Sequence, residues 1–462
     1  MNGRIAGWPE AEAFLAAHPE VEAIDIVLTD ANGIGRGKII RRHELESLYR
    51  HGRHLPSPIL GLDVTGEDVE ETGLVWSVGD ADLRAWPVPG TLVPLPWTSP
   101  ARAQVLVSLY HLDGRPHGAD PRHALATQLD ALATEGRHPA GALELEFYLL
   151  DATPGPDGKP RPAAMALDGR RHGQVQVYGL DDLDGMQPFF GPVYDAARAQ
   201  GLPLETLISE YAPGQYELTM RYRTDLLRAA DDLVMLKRLV RAIARRQGMV
   251  ACFMAKPLAG QAGSGMHLHV SLNDGHGNNL FAETEGETAP NALLRHAIGG
   301  LAATMGDSML AFAPHANSWR RFVAKLYAPV QPTWGVNDRS VALRVPAGPA
   351  GARRLEHRPS GVDANPYLVA AVVLAGMRHG MERGIDPGPA AEYQGFTQQT
   401  PFALTMPADW RAAIAQAENS DFLKAALGPD LHRAFLAIKR AELLRVAGII
   451  PDTDYHLYLY QV

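Results

Sequence analysis

Glu144, Glu146, Glu210, Glu217, His267 and Glu356 stand on four short segments of a 462-residue chain. Five carboxylates and one imidazole make a poor core, because buried charge is costly unless it is paired. The same set suits hard divalent cations, which take oxygen ligands. Glu144 and Glu146 interrupt an apolar run, Gly141-Ala-Leu-Glu144-Leu-Glu146-Phe-Tyr-Leu-Leu150, at i and i+2. A strand turns i and i+2 to one face, so both carboxylates are expected to point the same way. Glu210 and Glu217 flank Pro213-Gly214, a turn that folds one strand end back towards the next. His267 and His269 repeat the i, i+2 spacing, as do Glu356 and Arg358. Oxygen-dominated ligation selects Mg²⁺ or Mn²⁺, whereas a thiol-rich set would favour zinc. The pattern is that of a metal-dependent enzyme.

Arg320, Arg321, Arg339, Arg344, Arg354 and Arg358 fall on segments flanking these residues. The planar fork of arginine grips carboxylate or phosphate with two parallel hydrogen bonds. Acids, metals and arginines together suggest phosphoryl transfer to a carboxylate-bearing substrate. No Walker A sequence, kinase glycine-rich loop or Rossmann fingerprint is present to hold the phosphates. Each piece alone has an ordinary reading. Glu144 and Glu146 could be the exposed face of an edge strand, and Glu210 and Glu217 surface charges. Either histidine could be a satisfied core group, and Arg320-Arg321 a basic pair.

The elements that must position these residues follow from composition and punctuation. The chain is 46% apolar and 21% charged, with a net charge of −9, which argues against nucleic acid or an anionic membrane as the main partner. No long uncharged apolar run and no signal-peptide core is read, and one cysteine, Cys252, fits a reducing compartment, so a cytoplasmic protein is expected. A short helix is expected over 9–18, then two β-rich runs around Asn32-Gly33, a hairpin signal, and a helix over 42–51. Residues 55–70 read as loop and strand, and proline-rich 86–97 as an edge or crossing segment. The domain boundary is placed near 100–118, dividing 1–110 from 111–462. Helices are expected near 122–135, 186–200, 224–247, 290–310, 363–383 and 407–416, and a long exposed loop over 151–175.

The order of these blocks resembles the glutamine synthetase family. The resemblance rests on Lys256-Pro-Leu-Ala-Gly-Gln-Ala-Gly-Ser-Gly-Met-His-Leu-His269, Ala316-Asn-Ser-Trp-Arg-Arg321, Trp334-Gly-Val-Asn-Asp-Arg339-Ser-Val-Ala-Leu-Arg344, Arg353-Arg-Leu-Glu-His-Arg358 and Asp363-Ala-Asn-Pro-Tyr367. It implies an α+β fold: an N-terminal β-grasp domain and a catalytic domain whose curved antiparallel sheet forms a funnel. It further implies that Glu146, Glu210 and Glu217 hold one metal, and Glu144, His267 and Glu356 the other. Arg321 and Arg358 match positions that bind glutamate, with Gly263 and His267 beside them. Arg339, Arg344 and Arg354 match contacts to nucleotide phosphates, while His269, Ser271 and Tyr222 fall where ATP lies. Family members are stacked rings, usually dodecamers, with sites completed by a neighbour. The implied chemistry is transfer of the ATP γ-phosphate to glutamate, then attack of an amine on the acyl phosphate.

Departures from the family pattern point to the acceptor. The Asp-Gly-Ser-Ser motif of ammonia-using members is absent from Leu55-Pro-Ser-Pro-Ile-Leu-Gly-Leu-Asp63. The flap glutamate is replaced by Tyr327 in Val323-Ala-Lys-Leu-Tyr327-Ala-Pro329. Ammonium needs acceptor oxygens around it, so losing two acids weakens its site, while an aromatic ring offers a surface to an alkyl chain or an organic cation. The chain therefore resembles the γ-glutamyl-amine ligases, with a small monoamine or a polyamine as acceptor. An ammonia-dependent glutamine synthetase and a non-catalytic ring scaffold are the alternatives. Glu210, or Asp63 from a neighbouring subunit, is the expected base, and Asp63, Glu67 or Asp68 could receive the distal charge of a diamine. An asparagine of the family is Ala262 here, a lysine near the nucleotide is Gly351, and no adenylylation loop is recognised near 388–406.

Overall fold

The computed structural model describes residues 4–171, 173–283, 289–322, 328–329, 331–391 and 406–462. The N-terminal part contains β1 (Ala23–Thr29), β2 (Gly35–Arg41), β3 (Arg53–Pro56), β4 (Asp82–Pro87), β5 (Val93–Leu95) and β6 (Arg102–Tyr110). They form one sheet in the order β2-β1-β6-β4-β3, with β5 added to β6. Only β1 and β6 run parallel; the other pairs are antiparallel. The β1–β2 hairpin turns at Gly33, whose φ of +73° is a backbone state that L side chains rarely adopt. Helices Trp8–Ala17 and Leu45–His51 accompany this sheet, close to where the sequence places them.

Strand β1 is buried on both faces, and its period of two divides the work. Ile24, Ile26 and Leu28 join the N-terminal core, whereas Val27 joins the larger core built by the rest of the chain. Asp25, on the Val27 face, pairs with Arg102 and with Arg238 of the helix Leu226–Arg246. Next to this hairpin, Asn365 caps the helix Pro366–Arg383. Its Oδ1 accepts from the Tyr367 and Leu368 amides, and its Nδ2 donates to the Asp30 carbonyl at 2.8 Å. Asn365→Ala removes a buried cap together with a bond between the two cores. A loss of about 1–2 kcal/mol is expected from chemical denaturation, with Asn365→Asp restoring the cap alone.

The proline-rich segment divides as its chemistry requires. β3 pairs with β4 only through Ala85, so Trp86-Pro87 has a partner on one side alone, and Val93-Pro94-Leu95 is an edge strand. Proline donates no ladder hydrogen bond and is tolerated in both places. Between 55 and 70 the strand ends at Pro56, and a 3₁₀ helix, Ser57–Leu60, and a single bridge, Leu62 to Asp68, follow.

The larger part contains β7 (His138–Leu143), β8 (Leu145–Asp151), β9 (Leu204–Ser209), β10 (Gln215–Met220), β11 (Met249–Cys252), β12 (Leu268–Asn273), β13 (Trp334–Val336), β14 (Leu343–Val345) and β15 (Leu355–His357). Two sheets result, β11-β8-β10-β9 and β13-β14-β15-β12-β7. All ladders are antiparallel except β13–β14. The chain passes from one sheet to the other between Leu143 and Leu145, so Glu144 lies in neither strand. The expected single strand bearing both acids is thus two strands joined at the first acid.

Helices Pro121–Thr134, Gln187–Ala199, Leu226–Arg246, Ala292–Phe312, Pro366–Arg383 and Trp410–Glu418 match the expected positions. The C-terminal helices Asp421–Leu427, Pro429–Ala447 and Asp452–Tyr458 were not anticipated. No described helix is long and apolar enough to cross a membrane. The described residues of 152–179 carry no helix or strand and are mostly exposed, in keeping with the expected loop.

Candidate active site

Strand register assembles the site as two rows of side chains. In the four-stranded sheet Ile208, Glu217 and Glu146 are direct neighbours across β9, β10 and β8. In the five-stranded sheet Ala142, His269, Glu356 and Arg344 are neighbours across β7, β12, β15 and β14. Glu144, at the joint, receives contacts from both histidines: its two oxygens lie 2.8 Å from His267 Nδ1 and 2.8 Å from His269 Nε2. Glu146 Oε2 accepts from the Gly265 amide at 2.6 Å. A Cβ at Gly265 would lie 2.7 Å from an Arg321 guanidinium nitrogen, so only glycine lets that backbone approach both groups.

A cavity of about 440 Å³ opens between the rows and is lined by all six metal candidates with Gly263, Arg321, Arg339, Arg344 and Arg358. A second cavity of about 730 Å³ adjoins it through Glu144 and is lined by Tyr222, His269, Ser271 and Arg354. Of the six residues expected beside ATP, Tyr222, His269, Ser271 and Arg354 share the second cavity, while Arg339 and Arg344 line the first together with the expected glutamate-binding residues. Arg354 Nε donates to His269 Nδ1 at 3.2 Å, linking the second cavity to the histidine row.

The two rows differ in charge balance. Glu356 is 2% exposed and accepts from Arg344 at 2.7 Å and from Arg358. Burial alone would raise its pKa, but Arg358, His269 and His267 outweigh burial and hold it below the usual range. Glu144 behaves alike: burial raises it, and the two imidazoles pull it well below. In the other row the opposite holds. Burial pushes Glu217 up strongly, and the charges of Glu144, Glu146 and Glu210 add to it. Glu210 is raised by burial and then by Glu146. Like charges placed directly across a ladder repel, and a proton or a cation at Glu217 relieves the repulsion with Glu146.

That imbalance tests the metal expectation on the protein's own atoms. Glu146, Glu210 and Glu217 line the first cavity, and burial with mutual repulsion raises Glu210 and Glu217, a balance that suits a cation, but among the described residues their oxygens are not gathered within 4.8 Å of one another as a metal group. On the other side, ligand atoms of Glu144, His269 and Glu356 lie within 4.8 Å of one another. His267, the imidazole expected there, sits 4.0 Å from Glu356 and 3.9 Å from Glu146. Both histidines therefore border the second metal position, with His267 between the two.

Arg321 is buried, and its guanidinium donates to the Pro359 carbonyl at 2.7 Å and the Arg358 carbonyl at 3.2 Å. These bonds fix it at the cavity wall, where burial lowers its pKa against the opposing pull of Glu146. Ala262, standing where the family has asparagine, lines the first cavity, and its carbonyl accepts from Tyr148. Gly351 lines the second cavity.

Two expected residues are not placed at the site by one subunit's described residues: Asp63, expected from a neighbouring subunit, and Tyr327. Asp63 lines neither cavity. It is 1% exposed, and its carboxylate accepts from the Thr65 amide and hydroxyl, the Glu67 amide and Arg445, so a carboxylate with four donors already in place is stabilised as an anion and is a weak proton acceptor. Tyr327 and the flap segment 323–327 lie outside the described residues, as do 392–405 of the region considered for adenylylation. Conversely, Val177, Tyr178, Ile208, Tyr211 and Gln215 line the first cavity and were not anticipated. The length of the 151–175 loop was the only signal for Tyr178, which adopts φ +60° and whose hydroxyl accepts from Arg339 at 3.1 Å.

Comparison with known proteins agrees with this geometry. Residues 118–458 match the family model described as glutamine synthetase, catalytic domain. The chain is 36% identical to gamma-glutamylputrescine synthetase PuuA of Escherichia coli strain K12, over 96% of this chain and 93% of that one. It is 31% identical to glutamate–isopropylamine ligase of a Pseudomonas species, over 81% of each chain. Gamma-glutamylethanolamide synthetase of Streptomyces coelicolor is 30% identical over 97% of this chain and 94% of its own. A solved structure described as apo GmaS without ligand superposes with a TM-score of 0.82 at 27% identity, covering 97% of this chain and 99% of that chain. The chain belongs to the glutamine synthetase family, whose members are ATP-dependent carbon–nitrogen ligases that use divalent metals.

Proposed function

We propose that this chain is a γ-glutamyl-amine ligase that phosphorylates the side chain of L-glutamate with ATP and couples it to a primary amine. The observation that carries the reading is the pair of cavities meeting at Glu144, one lined by Tyr222, His269, Ser271 and Arg354 and the other by the acids with Arg321, Arg339, Arg344 and Arg358. Relatives that join glutamate to putrescine, isopropylamine and ethanolamine, by their names, support the amine class.

Glu146, Glu210 and Glu217 would hold one Mg²⁺ or Mn²⁺, and Glu144 and Glu356 with His267 or His269 another; the ions would neutralise phosphate charge and polarise the phosphoryl group. Arg321, Arg358 and Gly263 receive glutamate. Tyr222, His269, Ser271 and Arg354 hold the nucleotide, and Arg339 and Arg344 face the charge that spreads over the transferring group. An alkylammonium titrates near a lysine-like pKa of about 10.4, so the amine must give up a proton before it attacks. Glu210 lines the glutamate cavity and is the base in this proposal. Residues 1–110 and 111–462 serve as the two domains of each subunit, in a dodecamer of stacked rings in the cytoplasm.

The test is ADP release by purified protein with ATP, Mg²⁺ and glutamate. An organic amine is expected to exceed ammonium by at least about tenfold in kcat/KM, equivalent to about 1.4 kcal/mol. Ammonium giving the highest kcat/KM would make this chain an ammonia-dependent glutamine synthetase instead. No turnover with any acceptor, with or without chelator, would favour the non-catalytic scaffold.

A further inference from the structure

Resting on the ligase reading, we infer that Asn279 is a positioning residue for nucleotide binding, holding the segment that carries Arg354 against the strand that carries His269 and Ser271. Arg354 follows a single 3₁₀ turn, Ala350–Ala352, in which the Ala352 amide donates to the Pro349 carbonyl at 2.9 Å. A lone turn of this kind has little stability of its own. Its place beside the second cavity must come from contacts with other segments.

Asn279 supplies them. Its Nδ2 donates to the Arg353 carbonyl at 2.8 Å and to the Gly351 carbonyl at 3.1 Å, and its Oδ1 accepts from the Phe281 amide at 3.0 Å. An amide nitrogen has two hydrogens, one for each carbonyl, and a flipped amide would set oxygen against both. Asn279 also bridges to Asn273, the last residue of β12, and the Leu280 amide donates to the Leu272 carbonyl at 2.7 Å. β12 carries His269 and Ser271, so one side chain joins the two stretches that present nucleotide-facing groups. Glu283 reinforces the joint: its amide donates to the Ala350 carbonyl at 3.2 Å, and its buried carboxylate accepts from Arg353 at 2.7 Å. Arg353 is thereby committed to a buried ion pair, and Arg354 is the arginine of this segment that reaches His269. Asn279, Gly351 and Arg354 line the second cavity, whereas Arg321, Arg358 and Gly263 line the first. Asn279 is therefore expected to govern nucleotide affinity and to leave glutamate affinity alone.

Asn279→Ser keeps an oxygen for the amide two residues on, but its side chain is too short to serve both carbonyls. With the full-length protein, the Kd for MgADP from calorimetry is expected to rise at least fivefold. The KM for ATP is expected to rise likewise, with the KM for glutamate changed less than twofold. In an Arg354→Gln background the same substitution is expected to change the MgADP Kd less than twofold, because its effect passes through Arg354. An unchanged MgADP Kd in folded Asn279→Ser protein overturns the inference. So does a loss of equal size with Arg354 already replaced, which would make Asn279 a direct contact, or a KM that rises equally for both substrates. If the serine variant does not fold, Asn279→Asp, of the same shape, is read by the same criteria. An unmodified protein that binds no MgADP is a separate failure, since it sinks the ligase reading itself.

Discussion

Glu217→Gln is expected to lower amine-dependent ADP release at least about 100-fold while leaving the metal-free protein as stable as before, or more so. Loss of an outer partner already costs a metal site about 10–100-fold, and Glu217 is placed as a direct ligand. Its carboxyl group is pushed strongly upward by burial and by Glu144, Glu146 and Glu210. A neutral amide of the same shape therefore removes repulsion rather than a partner. Three readouts separate this from simple damage to the fold. Turnover falls, the melting temperature in chelator is unchanged or raised, and the increase in melting temperature on adding Mn²⁺ shrinks. A ligand present at 100 times its Kd stabilises by about 2.7 kcal/mol, so the lost increment is measurable. A variant that kept both turnover and the Mn²⁺ response would remove Glu217 from the metal group.

Glu356→Ala is expected to be as damaging to turnover and, unlike Glu217→Gln, to destabilise the metal-free protein by about 3–5 kcal/mol. Glu356 accepts from Arg344 and Arg358 and is 2% exposed. Arg358 is itself buried, and among the described residues its Nε has no hydrogen-bond partner. Deleting the carboxylate strands this guanidinium and deprives Arg344 of its counter-charge, and a buried cation without compensation is costly. Chemical denaturation in chelator measures the effect, and a change below about 1 kcal/mol would show that the arginines find other partners. The pair of variants tests a division within one site. One carboxylate row is held together by its own cations, and the other waits for cations from solution.

Much of this was legible in the primary structure. The Pro213-Gly214 turn between Glu210 and Glu217 was expected to fold one strand back on the next, and β9 and β10 do so with Glu146 beside Glu217, whereas Glu144, expected on one strand with Glu146, lies between strands. Tyr222, His269, Ser271 and Arg354, which the family resemblance sets beside ATP, line one cavity, and Arg339 and Arg344 line the other. What was not legible depended on contacts between distant segments. Val177 and Tyr178 belong to a stretch without helix or strand, and their arrival at the cavity wall rests in part on the Tyr178 amide donating to the Ser209 carbonyl. Ile208 reads as one more apolar strand residue until its register beside Glu217 turns it towards the acids. Asp63 looked available because its donors are a local turn and Arg445, which is far along the chain.

Residue type and short-range spacing determined which chemistry this protein carries, because a hard-cation site needs carboxylates and a phosphate site needs arginines, whatever the fold around them. Tertiary structure decided how the charges are shared. Cross-strand pairing set Glu356 between His269 and Arg344 but set Glu217 beside Glu146, so carboxylates of similar intrinsic acidity are driven in opposite directions by burial and by the sign of their neighbours.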